Sequence, residues 1–166
     1  MDFHKEVNMV EKGNLEKIIE NRIEGTIYCP EKYGPIEVIL TTKKENENNS
    51  WHRDIKVPLK FNPVLLNLIN CYSIILRQDF FIVDGKLITK FCSNKYISQF
   101  FSFEEEHIYE QDGENIKVTR YSDGKNKMGE WLFYPLTLML SSYMKETEDS
   151  FQEQMNEFII SEIQNS

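Results

Sequence analysis

At 166 residues and 19.8 kDa, with 40% hydrophobic and 13% aromatic residues, the chain can build one ordinary core and is too apolar for intrinsic disorder. A formal net charge of −8 and a pI near 5.0 argue against direct binding to nucleic acid or an anionic membrane, because both require a basic surface. Three widely spaced cysteines, Cys29, Cys71 and Cys92, form no CxxC and point to a reducing compartment rather than a disulfide scaffold.

The N-terminus MDFHKEVNMVEK lacks a basic-then-apolar signal pattern. A cytoplasmic location is therefore expected. Val7, Val10, Ile18, Ile19 and Ile23 recur near helical spacing, which predicts one broken helix or two short ones. Asn14 is placed to cap the second segment and Gly25 to end it. From Thr26 the residues become β-branched and aromatic: TIYC and IEVILTT, separated by PEKYGP, predict a hairpin.

KKENENNS is expected to be a loop, and WHRDIKVPLKF resumes a strand-like alternation with Trp51, Ile55 and Val57 on one side. Pro58 suits an edge strand or a strand end. Asn62 and Pro63 then open a predicted, deeply buried central helix, PVLLNLINCYSIILR. Its apolar run from Val64 to Leu76 is too short, and too interrupted by Asn67 and Asn70, to span a membrane.

Asp84-Gly85 and Asp112-Gly113 each sit between β-rich runs and predict two hairpins. KYISQFF reads as a short helix or connector, SDGKNKMG as a loose turn, and EWLFYP as a further strand. Leu140, Met144, Phe151, Met155, Phe158, Ile159 and Ile163 mark a C-terminal helix, with a kink or restart expected near Thr147 to Ser150. The predicted fold class is α+β: a mainly antiparallel sheet of hairpins packed with N-terminal, central and C-terminal helices, as one domain over residues 1–166.

The stretch Ser102 to Glu114, SFEEEHIYEQDGE, concentrates six carboxylates around a histidine and a tyrosine. Strand alternation sends Glu104, Glu106, Ile108 and Glu110 to one face, and Glu105, His107 and Tyr109 to the other. Glu105 and His107 could contribute to a metal site only with another ligand such as His52, and no spacing supports that join. His52 and Asp54 of WHRD could orient one another as an acid–base pair, but no nucleophile or phosphate-binding loop accompanies them; Arg53 and Asp54 are expected to be solvated. There is no GxGxxG, P-loop, GxSxG or HExxH pattern, so no catalytic residue, metal or cofactor is assigned. The cysteines are expected to be buried and inert, and Met139, Met144 and Met155 to be core packing.

The acidity is uneven. Residues 1–83 carry a net charge of −1 and residues 84–166 carry −7. A concentrated negative field speeds encounter with a cationic protein and favours its docking. Glu104, Glu105, Glu106, Glu110, Asp112 and Glu114 form the expected partner-binding patch, with Tyr109 as an aromatic anchor. Glu146, Glu148 and Asp149 in KETEDSFQEQ form a second acidic segment.

In general character, a small acidic chain bearing FEEEHIYEQDGE and KETEDSFQEQ without catalytic motifs resembles the immunity proteins of bacterial contact-dependent growth inhibition and polymorphic toxin systems. The resemblance transfers no functional residue. It implies a non-enzymatic cytoplasmic inhibitor whose partner is a basic protein, expected to be a toxin domain such as a nuclease. The alternatives are a small enzyme with a site built from His52, Asp54, Glu105 and His107, or an adaptor or inhibitor directed at another basic protein.

Overall fold

A computed structural model describes residues 2–28, 30–33, 37–41, 49–58, 63, 64, 67, 70, 72–93, 101–126 and 134–166. Seven strands form one antiparallel sheet: β1 (Asp2–Lys12), β2 (Glu37–Thr41), β3 (Ser50–Pro58), β4 (Ser73–Val83), β5 (Lys86–Cys92), β6 (Phe101–Asp112) and β7 (Asn115–Asn126). Their spatial order is β1-β7-β6-β5-β4-β3-β2. Helix α1 (Leu15–Glu24) follows β1, and the 31-residue helix α2 (Tyr134–Gln164) closes the chain. The α+β class and the antiparallel sheet agree with the sequence reading.

Both predicted hairpins form because their chemistry is local, the first turning at Asp84-Gly85 as expected and the second one residue later than expected, at Gly113-Glu114, with Asp112 ending β6 opposite Asn115. Asp84 and Gly85 both adopt positive φ, 51° and 76°, as a two-residue turn of matching twist requires. In α1, the Asn14 side chain accepts from the Lys17 amide and Gly25 ends the helix at φ 82°, again as expected.

The remaining differences arise from pairing between distant segments. Residues 2–12, expected to be helical, form β1, in register with β7 from Asp2↔Lys125 to Lys12↔Asn115. Thr26–Tyr28 lie outside any strand, and β2 pairs with β3 instead of forming the predicted hairpin. Pro63, Val64 and Asn67 are helical, but Ser73–Arg77 of the predicted central helix belong to β4, pinned against β3 from Ser73↔Pro58 to Arg77↔Asp54. Val64 and Ile75 are exposed, contrary to the deep burial expected, whereas Leu65, Leu66, Leu68 and Ile69 lie outside the described residues.

Ser122–Asn126 continue β7 instead of turning, since β1 and β6 flank them on both sides. Tyr134 and Pro135 begin α2, where a proline in the first turn forfeits no helical hydrogen bond, and the helix passes through 147–150 without a break. The rest of the predicted EWLFYP strand, most of KYISQFF, Cys29 and Cys71 lie outside the described residues. Cys92 is exposed at the end of β5, contrary to the buried role expected.

The core lies between one face of the sheet and the two helices. Leu15 and Ile18 of α1 and Ile159 and Ile163 of α2 pack with Trp51, Phe80, Leu87, Tyr109, Ile116 and Val118 from the strands. Gly13 joins β1 to α1 where the C-terminus of α2 comes closest: a Cβ there would stand 2.7 Å from Ile163 Cγ2 and 2.9 Å from the Ile163 carbonyl oxygen. Gly13→Ala is expected to destabilise the protein by about 1–3 kcal/mol through this overpacking. Urea unfolding of the two proteins measures the difference.

Candidate functional site

The inner face of the sheet carries charge as well as hydrocarbon. In β3 the alternation buries Trp51, Arg53, Ile55 and Val57 together, and Arg53 is 0% exposed. This corrects the expectation that Arg53 is solvated. In β6 the same alternation buries Phe103, Glu105, His107 and Tyr109, and in β7 it buries Ile116, Val118, Arg120 and Ser122. Helix α1 adds Asn21 and Arg22, and α2 adds Gln152, Gln154 and Glu162.

These groups form two adjoining networks. In the first, the Arg22 guanidinium forms an ion pair with Glu162 and donates to the Thr89 hydroxyl, joining α1, α2 and β5. The same guanidinium lies 4.8 Å from the Tyr109 ring centroid and 5.0 Å from that of Phe80. Burial, the largest single influence, would lower the Arg22 pKa, but Glu162 and Tyr109 together raise it; burial would likewise raise the Glu162 pKa, but Arg22, Arg53 and Tyr109 together lower it. Both groups are ionised. Burial, followed by the nearby Glu162 charge, raises the Tyr109 phenol and keeps it neutral.

Arg53 borders this network and has no ion pair of its own among the described residues. Its Nε donates to Gln78 Oε1 at 2.7 Å and its Nη1 to the Thr26 carbonyl at 3.4 Å, while Nη2 has no hydrogen-bond partner among the described residues. Burial first, then repulsion from Arg22, lowers its pKa to about 10, so it still carries its charge at neutral pH.

In the second network, Arg120 grips Glu105 with two donors, Nε to Oε2 at 2.9 Å and Nη2 to Oε1 at 2.7 Å. Ser122 donates to Glu105 Oε1 at 2.6 Å, and His107 Nε2 lies 2.9 Å from Oε2. Arg120 Nη1 reaches Asn156 of α2 at 2.8 Å. Burial alone would raise the Glu105 pKa, but hydrogen bonds from His107 and Arg120 reverse it; burial lowers the His107 pKa, leaving a neutral imidazole that donates through Nε2.

Between the sheet and α2, a cavity of about 20 Å³ is lined by apolar side chains, among them Ile55, Val57, Leu76 and Phe158, and by the polar side chains of Arg22, Gln78, His107 and Tyr109. It holds about one water molecule. The walls are thus amphipathic.

The expected partner-binding residues are distributed differently from the surface patch foreseen. Glu105 and Tyr109 are 3% and 1% exposed, so neither can face a partner. Glu106, Glu110, Asp112 and Glu114 lie on the surface, and each has one of the chain's own lysines within 4.0 Å: Lys90, Lys86, Lys117 and Lys12 respectively. Glu104 is exposed, without an ion pair among the described residues. Glu148 is half-buried, Asp149 is exposed, and the Glu146 side chain lies outside the described residues.

The enzymatic alternative also loses its geometry. Glu105 and His107 meet on the inner face, whereas His52 and Asp54 alternate with the buried residues of β3 and face outward. Among the described residues no group of three or more His, Cys, Asp or Glu side chains could hold a metal. Sequence reasoning missed Arg22, Arg53, Arg120 and Glu162 as interior groups. Position could have found them: Arg53 shares strand parity with Trp51 and Ile55, Arg120 with Ile116 and Val118, and Glu162 lies three residues beyond Ile159.

No protein-family model matches the chain, and no curated protein matches it in sequence. Solved structures do match. The di-domain ARO/CYC BexL from the BE-7585A biosynthetic pathway superposes with a TM-score of 0.57 at 5% identity, over 98% of this chain and 48% of that one. A START superfamily protein from Mycobacterium smegmatis superposes with a TM-score of 0.52 at 9% identity, over 98% and 97% of the two chains. This chain spans about half the length of BexL.

These likenesses overturn the resemblance to immunity proteins and, with it, the toxin-inhibitor function and the basic toxin partner. They also overturn the expectation of a non-enzymatic role as a property of the fold, since an ARO/CYC protein shares it. No helix among the described residues is long and apolar enough to cross a membrane.

Two measurements test the interior. Glu105→Gln leaves Arg120 buried without an anion and is expected to cost about 3–5 kcal/mol in urea unfolding, while the double variant E105L/R120M recovers most of the loss. Because the folded-state pKa of His107 lies below 6.5, the unfolded chain takes up the proton first, and stability falls as pH drops below 6.5. Unfolding free energies at pH 7.5 and 5.5 are expected to show this fall, at most about 1.4 kcal/mol per pH unit from one histidine, and to show less of it in H107Q. The fall below pH 4.5, where Glu105 and Glu162 take up protons, is expected to persist in H107Q.

At the level of fold, the chain is START-like.

Proposed function

We propose that the chain binds a small amphipathic molecule between the inner face of the sheet and α2. The amphipathic cavity carries this reading: its lining combines hydrocarbon from Ile55, Val57, Leu76 and Phe158 with polar groups from Arg22, Gln78, His107 and Tyr109. A mostly apolar wall with a few convergent polar groups is the usual construction of a small-molecule site. At about 20 Å³ the cavity suits one polar end of a ligand, with its apolar body displacing side chains or lying against the half-buried Phe158. The shared fold supports the reading, since BexL is an ARO/CYC protein of a biosynthetic pathway.

The neutral fluorescent amphiphile N-phenyl-1-naphthylamine tests the site. Saturable enhancement at one site per chain is expected, and Leu76→Trp, which fills the cavity, is expected to reduce affinity at least tenfold. Circular dichroism of the variant checks that it is folded. The absence of enhancement, or enhancement that L76W leaves unchanged, would contradict the assignment.

A further inference from the structure

The buried ionised groups do not balance. Among the described residues Arg22, Arg53 and Arg120 are buried together with two carboxylates, Glu105 and Glu162. Glu162 is ion-paired with Arg22 and acts on Arg53 only at longer range, and Glu105 is ion-paired with Arg120, so three guanidiniums share two carboxylates and Arg53 is the one with no close ion pair among the described residues. An unpaired buried ion costs several kcal/mol, and interiors seldom retain one without a counterion.

Hydrogen bonding shows the same deficit independently. Of four buried side-chain atoms without a partner among the described residues, three are donors, Asn21 Nδ2, Trp51 Nε1 and Arg53 Nη2; the one acceptor is Gln152 Oε1. Among the described residues, unpartnered buried donors thus outnumber acceptors, and one of them belongs to Arg53.

The cavity brings that deficit within reach of a ligand. Gln78 lines it and holds Arg53 Nε at 2.7 Å, and Arg22, also on its wall, shares the Phe80 ring with Arg53 at 5.0 and 5.3 Å from the centroid. Arg53 itself is not on the cavity wall: an anion entering here stands beside Arg22 and beside Gln78, the side chain that holds Arg53. No group on the cavity wall would repel it: the histidine there is neutral, and the nearby carboxylates are already neutralised by Arg22 and Arg120.

We infer that the ligand carries a single negative charge, a carboxylate or a comparable monoanion on an apolar body, and that Arg53 is the positive group selecting it. This deepens the ligand-binding reading and rests on it. A neutral analogue would fill the same hydrocarbon while leaving Arg53 unbalanced, so the preference is electrostatic rather than steric.

Calorimetric titration at pH 7.5 with sodium octanoate and with 1-octanol, which differ in charge but scarcely in their apolar chain, tests the inference. Octanoate is expected to bind at least tenfold more tightly than octanol. In Arg53→Met the preference is expected to disappear through weaker octanoate binding, while Arg53→Lys retains part of it. Equal affinities in the unaltered protein, or an undiminished preference in folded R53M, would overturn the inference while leaving the ligand site standing. If neither compound binds, the ligand site itself fails and this inference with it. The comparison of the two compounds on the unaltered chain decides the matter even if R53M does not fold.

Discussion

The ion pair of Arg22 with Glu162 holds the layers of this protein together. One guanidinium from the ten-residue α1 meets a carboxylate near the end of α2 and a threonine on β5, and presents its faces to Tyr109 and Phe80. A charge buried this deeply is tolerable only when nearly every donor is used and the partner is close. That condition requires α1, α2 and β5 to meet at this point of the sheet. The Arg120–Glu105 pair repeats the arrangement farther along the sheet, reaching α2 through Asn156 and Gln152.

With those two pairs satisfied, Arg53 stands out. It occupies the same inner face, is fully buried, and has a glutamine and a backbone carbonyl where the other arginines have carboxylates. Among the described residues the core therefore combines two ion-paired arginines with a third that lacks an ion pair and is held by Gln78, a residue of the cavity wall. Stability and binding place opposite demands on such a residue: an isolated buried cation weakens the empty protein, and the same cation rewards the arrival of an anion.

Features dictated by neighbouring residues were legible in the sequence. The Asp84-Gly85 turn needs positive φ at successive positions, and the Asn14 and Gly25 caps act within one helical turn, so a short window suffices for each. Residues 2–12 and 73–77 were misjudged because their conformation is settled by partners far along the chain, β7 in one case and β3 in the other. The alternation in SFEEEHIYEQDGE was read correctly, and it separates Glu105, His107 and Tyr109 from the outer acids as expected. Which face would be interior was not legible: burial of Glu105 depends on Arg120, and burial of Arg22 depends on Glu162, 140 positions away. The concentration of acid in the second half misled for a related reason. Part of it lies inside, and much of the rest stands beside lysines on adjacent strands, in surface pairs worth at most about 1 kcal/mol each.

The central claim concerns what lies next to Arg53, and anomalous diffraction from crystals grown in bromide examines that directly. The account predicts a bromide ion, or a co-purified anionic molecule, within hydrogen-bonding distance of Arg53 Nη2 or between it and Arg22. A side-chain carboxylate of the chain itself paired with Arg53, with no bromide beside it, would contradict the account.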